Sequence, residues 1–364
     1  MSGKAFGRRL AVLALGLAVS AGGLAVSSAP AAAAVPDAWG FAYVDNPTPA
    51  PGTVTDPARQ WGSWKAFAPA AMVTVDPIGV GRYRVRFPFL ASGNGVAHVT
   101  AVGSDARYCQ VWLVYPSGAD QIVEVQCYKN GGFIDPTRFT VMYSTSSGLL
   151  PFGEAYAYVQ GHILGGTVTS YNSMGAGNSV AHIGPGQYQV FLSAMSTGIL
   201  DGNVQVTAQH PNSPRRCKLV NWITSPNGHT LTVNCYDQAN VLTDTWFDLS
   251  YYRKRALFGA LAPPNAYAYL WTPGLGGPTD YNSFGGINSV AVAGVGLFHV
   301  RHPLVGVKET HVQITAYGQG PNYCNLQAPW TIGGSTVDIR NVICFDGAGN
   351  PKKTEFLEGY ASRA

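Results

Sequence analysis

Six cysteines are the residues in this chain with the clearest chemistry, because they fall into three pairs of nearly equal spacing. Cys109 and Cys127 bound CQVWLVYPSGADQIVEVQC, Cys217 and Cys235 bound CKLVNWITSPNGHTLTVNC, and Cys324 and Cys344 bound CNLQAPWTIGGSTVDIRNVIC. The midpoints fall at Gly118, Pro226 and Gly334, each inside a group of turn-forming residues. Turn residues halfway between two strand-like runs predict a β-hairpin. Two residues equidistant from such a turn face each other across antiparallel strands, within reach of a disulfide. The expected bonds are therefore 109–127, 217–235 and 324–344, out of the 15 pairings that six cysteines allow.

Alternation along each hairpin assigns its two faces. Cys109, Val111 and Leu113 share an apolar face with Val123, Val125 and Cys127, while Gln110, Glu124 and Gln126 form a face suited to water. In the second copy, Cys217, Leu219, Leu231, Val233 and Cys235 point to a core, opposite Lys218, Thr230, Thr232 and Asn234. Strict alternation places Trp112 and Trp222 on the polar faces; Trp330 follows Pro329, which interrupts the pattern. An aromatic ring on a polar sheet can stack on a sugar ring or a peptide side chain. Trp112, Trp222 and Trp330 are accordingly the candidate ligand-binding residues, against the alternative that a loop or a neighbouring unit covers each ring.

Other chemistry is sparse. The eight histidines, His98 and His182 among them, stand mostly at positions that hold other residues in the related segments. His299 and His302 lack further ligands at metal-site spacing, so neither a metal nor a cofactor is expected. There is no Gly-x-Ser-x-Gly elbow, His-Glu-x-x-His or phosphate-cradling Gly-x-x-x-x-Gly-Lys. Asp135 and Asp244 recur after a turn, where an Asp commonly accepts from local backbone amides. No catalytic residue is assigned.

The elements that must position these residues repeat along the chain. Phe41-Ala42-Tyr43-Val44, Tyr156-Ala157-Tyr158-Val159 and Tyr267-Ala268-Tyr269-Leu270 open three units. Gly-x-Tyr/Phe-x-Val follows from Gly81, Gly186 and Gly296, then Val/Ile-Thr-Ala from Val99, Val206 and Ile314, then the cysteine hairpin and a closing aromatic strand. The first cysteines lie 108 (217 − 109) and 107 (324 − 217) residues apart. Ordered anchors at one period indicate duplication. Short strands with frequent turns, 44 glycines, 24 prolines and no amphipathic helical window predict an all-β protein. The expected architecture is three tandem β-sandwich units over 35–147, 153–256 and 263–364, each closed by its own hairpin disulfide. A unit of this length can bury a core of its own, so 153–256 is expected to fold alone.

Residues 1–34 read as a secretory signal peptide, with Lys4, Arg8 and Arg9 before an apolar run and Ala32-Ala33-Ala34 at its end. Removing it takes away three of 23 basic residues and none of 19 acidic ones, leaving 20 − 19 = +1. A near-neutral chain lacks the electrostatic footprint of a nucleic-acid binder. No later run is long enough to span a membrane as a helix. Paired cysteines agree with a secreted, extracellular location.

The order Gly-x-Tyr-x-Val, Val-Thr-Ala, Cys-x-x-x-x-Trp, then Cys-Tyr/Phe-Asp-x-x-Gly and a closing aromatic strand resembles repeats in uncharacterised secreted proteins of actinobacteria. The resemblance covers the mature chain, implies a tandem extracellular β-protein and transfers no catalytic residue. Unit three departs from it with Lys353 where units one and two have Asp135 and Asp244. The expected function is non-enzymatic binding of a carbohydrate or another extracellular surface. Alternatives are a secreted glycan hydrolase, marked by an acid pair in a cleft, and a protein-binding inhibitor, adhesin or structural surface protein.

Overall fold

The computed structural model describes residues 37–150, 154–258, 264–272 and 279–363. The expected signal peptide lies outside them. The first unit contains β1 (Ala38–Val44), β2 (Thr53–Val54), β3 (Gln60–Gly62), β4 (Thr74–Gly79), β5 (Arg82–Phe87), β6 (Val96–Val102), β7 (Arg107–Ser117), β8 (Asp120–Lys129) and β9 (Arg138–Thr145). The second contains β10 (Ala155–Gly161), β11 (Thr167–Asn172), β12 (Asn178–Gly184), β13 (Gln187–Ser193), β14 (Asn203–Gln209), β15 (Arg216–Ser225), β16 (Gly228–Tyr236) and β17 (Trp246–Arg253). The third contains β18 (Tyr267–Trp271), β19 (Tyr281–Asn282), β20 (Ser289–Gly294), β21 (Leu297–His302), β22 (Thr310–Tyr317), β23 (Tyr323–Leu326), β24 (Thr331–Gly333), β25 (Thr336–Phe345) and β26 (Glu355–Ser362). Among the described residues no helix is long and apolar enough to cross a membrane.

Each unit is a β-sandwich. In unit two, β11-β10-β17-β14 faces β12-β13-β16-β15 across a core built from Val159, Val190, Leu219, Leu231, Val233 and Leu249. The cysteine hairpins form as their symmetry requires: Cys109 pairs with Cys127, Cys217 with Cys235 and Cys324 with Cys344 in the strand register, and all three bonds are made. Gly118 and Gly334 open two of the turns with φ of +61° and +62°, a conformation glycine adopts without a Cβ clash. Closing loops of 18 to 20 residues contributes about 3 kcal/mol per bond on a chain-entropy argument.

The sandwiches do not stand apart. Strand β14 of unit two runs parallel to β7 of unit one, β22 of unit three to β15 of unit two, and β6 of unit one to β23 of unit three. The three junctions are equivalent and close a ring with pseudo-threefold symmetry. Each of the three large sheets is half one unit and half its neighbour. One residue pair bridges each junction, Gln209 with Val111, Tyr317 with Leu219 and Val102 with Leu326, and so joins six strands that would otherwise be open inner edges. Around the ring, Trp39 and Phe41, Tyr156 and Tyr158, and Tyr267 and Tyr269 from the opening strands pack into one shared aromatic cluster. Burial on both faces explains why those strands are apolar or aromatic throughout.

This architecture revises the expectation that one unit is self-sufficient. Leu357 of unit three belongs to the core of unit two, with Trp271 and Tyr317 packed against it. Residues 153–256 expressed alone should melt well below the full chain or aggregate through β14 and β15. Thermal unfolding of both, with disulfides intact, checks this; equal melting temperatures would show that ring closure contributes no stability.

Candidate functional site

The three candidate tryptophans occupy three different environments. They stand three, five and six residues after their cysteines, so they are not equivalent positions. A β-bulge shared by units one and two decides their direction. The extra residue is Trp112 in unit one, between Val111↔Val125 and Leu113↔Glu124, and Val220 in unit two, between Leu219↔Val233 and Asn221↔Thr232. An extra residue reverses the alternation beyond it. Trp222 therefore turns into the core of unit two, 5% exposed, while Leu113 turns outward and is 40% exposed. Trp330 lies in the break between β23 and β24 and is 1% exposed. Its Nε1 donates to Thr310 Oγ1 at 2.6 Å, and Arg59 of unit one packs over its ring. Both are structural, which corrects the ligand-facing assignment. Trp112 alone stays half-buried, with the Arg82 guanidinium laid over its ring.

The polar faces of the hairpins are not solvated either. Gln110, Glu124, Gln126 and Lys218 are all buried, Gln110 and Lys218 because their strands line the ring's centre. Asp244 accepts from Gly186 N at 2.6 Å, and Asp135 pairs with Arg107 at 2.7 Å and Lys129 at 3.0 Å, so both carboxylates serve local structure.

At the centre, the Val/Ile-Thr-Ala segments form a ring of hydrogen bonds. Val99 N donates to Thr207 Oγ1 (3.4 Å), Val206 N to Thr315 Oγ1 (2.9 Å) and Ile314 N to Thr100 Oγ1 (3.0 Å). Thr100 donates in turn to Gln313 Oε1 (2.6 Å) and Thr315 to Gln205 Oε1 (2.9 Å). At the third corner His98 replaces glutamine, with Nδ1 3.1 Å from Thr207 Oγ1 and Nε2 2.8 Å from Ser250 Oγ. Burial pushes the His98 imidazole down to about 3, and His311, buried beside Phe41 and Phe258, likewise to about 3 with His98 adding to the effect.

Against this ring opens a small pocket of about 60 Å³, lined by all three Val/Ile-Thr-Ala segments and by Cys109, Cys217 and Cys324. The residues preceding the cysteines form its walls: Tyr108, Arg216 and Tyr323. Turns after the second cysteines meet nearby: Asn130 donates to Ala348 O at 2.6 Å, Asn240 to Gly347 O at 3.0 Å. The Arg216 guanidinium lies 5.0 Å from the Tyr108 ring centroid and 4.4 Å from that of Tyr323, and donates through Nη2 to Asn240. Its Nε and Nη1 are buried without a partner, as is Lys218 Nζ. Burial drives the Lys218 ammonium down to about 7, reinforced by Lys352 and Arg216 and opposed by Glu355. Arg215 adds a third cation, lowered by burial. The pocket is a basic, tyrosine-walled cavity on the pseudo-threefold axis. The repeats located its strands in the sequence, but the departure of unit two from its sisters at Arg216 and Lys218 was the only signal of its charge.

No protein-family model, curated protein or solved structure matches the chain.

Trp222→Ala and Trp330→Ala should each destabilise the protein by about 3–5 kcal/mol, and Trp112→Ala by about 1 kcal/mol, in chemical denaturation. His98 and His311 bind protons near pH 6.5 only when unfolded, so their contribution is complete above that pH and is lost as pH falls toward 3. Asp248, raised to about 7 by burial, works in the opposite sense: its contribution is present in acid and lost as pH rises through about 7. His98→Gln, which installs the residue of units two and three, should flatten the acid limb of stability by about 1.4 kcal/mol per pH unit relative to the parent. An unchanged limb would show that His98 is not held neutral.

Proposed function

We propose that this is a non-enzymatic extracellular binding protein whose recognition site is the axial pocket. The observation that carries the reading is the convergence of equivalent residues from all three units on one cavity, at which buried nitrogens of Arg216 and Lys218 lack a partner among the described residues. Tyr108, Tyr236 and Tyr323 line it with aromatic rings and Asn322 with an amide, a combination suited to a saccharide or another polar extracellular ligand. Among the described residues that line it there is no Asp, Glu or His, so these walls offer shape and attraction rather than an acid–base pair, which favours binding over hydrolysis. Three cross-strand disulfides suit an oxidising exterior.

The closing of the ring replaces three repeated weak sites by one composite site. Retention on cell-wall and plant polysaccharides tests the proposal. Asn322→Trp, which obstructs the pocket at a half-buried position, should reduce retention at least about tenfold with little change in melting temperature. Undiminished retention by that variant would place the ligand elsewhere.

A further inference from the structure

Unit two breaks the symmetry of the axis in a chemically specific way. At the position after the first cysteine, unit one has Gln110, whose Nε2 donates to His210 O (2.7 Å) and Ser213 O (3.0 Å) and whose Oε1 accepts from Arg215 N (2.6 Å). Unit three has Asn325, which donates to Arg107 O. Each amide fastens its strand to the neighbouring unit, Gln110 to the segment between β14 and β15 and Asn325 to the start of β7. Unit two has Lys218, whose Nζ meets no partner among the described residues though the residue is only 3% exposed. At the position before the cysteine, tyrosines in units one and three face Arg216 in unit two. The two rings cover the guanidinium, while Nε and Nη1 remain unsatisfied. Residues 216 and 218 are two apart on β15 and so share a face, directed at the pocket.

Buried cationic nitrogens without partners are expensive, and a structure retains them where something else completes them. Neither tyrosine nor glutamine would be difficult to place here, since the sister units hold both. We infer that the axial pocket binds an oxyanion, a carboxylate, sulfate or phosphate group, through Lys218 Nζ and the free N–H groups of Arg216. The inference rests on the pocket being the binding site and adds the class of ligand. Charge-assisted hydrogen bonds at buried groups are the strongest such contacts available. The charged groups around Lys218 are Arg216, Lys352 and Glu355, and Arg215 is a further cation on the pocket wall. An arriving anion favours the protonated lysine, so binding takes up a proton wherever Lys218 is neutral beforehand.

Isothermal titration of the whole disulfide-bonded chain with sodium sulfate, acetate, glucuronate and, as a neutral probe, glucose tests this at constant ionic strength. Sulfate should bind saturably, and about 30-fold more weakly at about pH 8.5 than at about pH 6, since Lys218 titrates near 7. The paired substitution Arg216→Tyr and Lys218→Gln gives unit two the residues of unit one. It should fold at least as well as the parent and lose sulfate binding. Glucuronate binding well above acetate would identify an acidic sugar as the source of the group, whereas sulfate at equal strength would identify a free anion. Absence of saturable oxyanion binding by the parent, or equal binding by the folded paired variant, overturns the inference. The pocket reading survives that result if Asn322→Trp still abolishes polysaccharide retention while the paired variant retains it, and falls with it if neither variant changes retention.

Discussion

Pairing of inner strand edges between successive units is the constraint on which the rest of the molecule depends. A sandwich of four strands on four leaves both sheets with open edges. Here the two inner edges of each unit, β6 and β7, β14 and β15, or β22 and β23, are covered by the neighbours on either side. Three units are enough for the last to meet the first. Duplication and closure thus act together: the repeat supplies identical edges, and the ring pairs each with an edge of the next copy. Cyclic order makes the three junctions alike: in each, the Val/Ile-Thr-Ala strand of one unit runs parallel to the first cysteine strand of its neighbour.

Closure creates an interior that belongs to no single unit. Backbone N–H groups at Val99, Val206 and Ile314 would be unsatisfied there, and the threonine of the next unit accepts each of them. Threonine is short enough for the crowded axis and can accept and donate at once: Thr315 and Thr100 donate to Gln205 and Gln313, and Thr207 lies in hydrogen-bond contact with His98. The polar axis is bracketed by aromatic clusters, one from the opening strands and one formed by Tyr108, Tyr128, Tyr323 and Phe345. A satisfied polar centre between apolar layers fixes the register of three units more specifically than apolar packing alone.

Within this frame the copies have diverged. Unit three carries a His302–Glu358 contact of 2.7 Å inside its sandwich, where the register of units one and two places Phe87 with Val141 and Leu192 with Leu249. Asn288 Oδ1 holds the other imidazole nitrogen at 2.8 Å, so the pair is oriented as well as buried. Unit one replaces the loop of the other two with a segment whose Trp64 fills the space beside Gly40 and Gly62, where any side chain would collide with the indole. Unit two places cations on the axis. The fold tolerates such changes because each copy keeps its own disulfide and aromatic closing strand.

The sequence by itself determined what depends on local geometry. Turn residues midway between cysteines dictate hairpins, and symmetry about those turns dictates which cysteines meet. Alternation identified Cys217, Leu219, Leu231 and Val233 as core residues. It failed beyond the bulges at Trp112 and Val220, because one extra residue reverses every later side chain and no composition signal marks it. Trp222 and Leu113 exchanged faces for that reason. Only the tertiary structure decided the fate of the polar faces. Gln110 and Lys218 read as solvated because a strand's sequence records polarity and not what will cover it. Ring closure placed them against neighbouring units, turning a polar surface into a buried axis. The pocket exists because strands more than a hundred residues apart meet there, and that meeting is a property of three units closing on one another rather than of any segment of the chain.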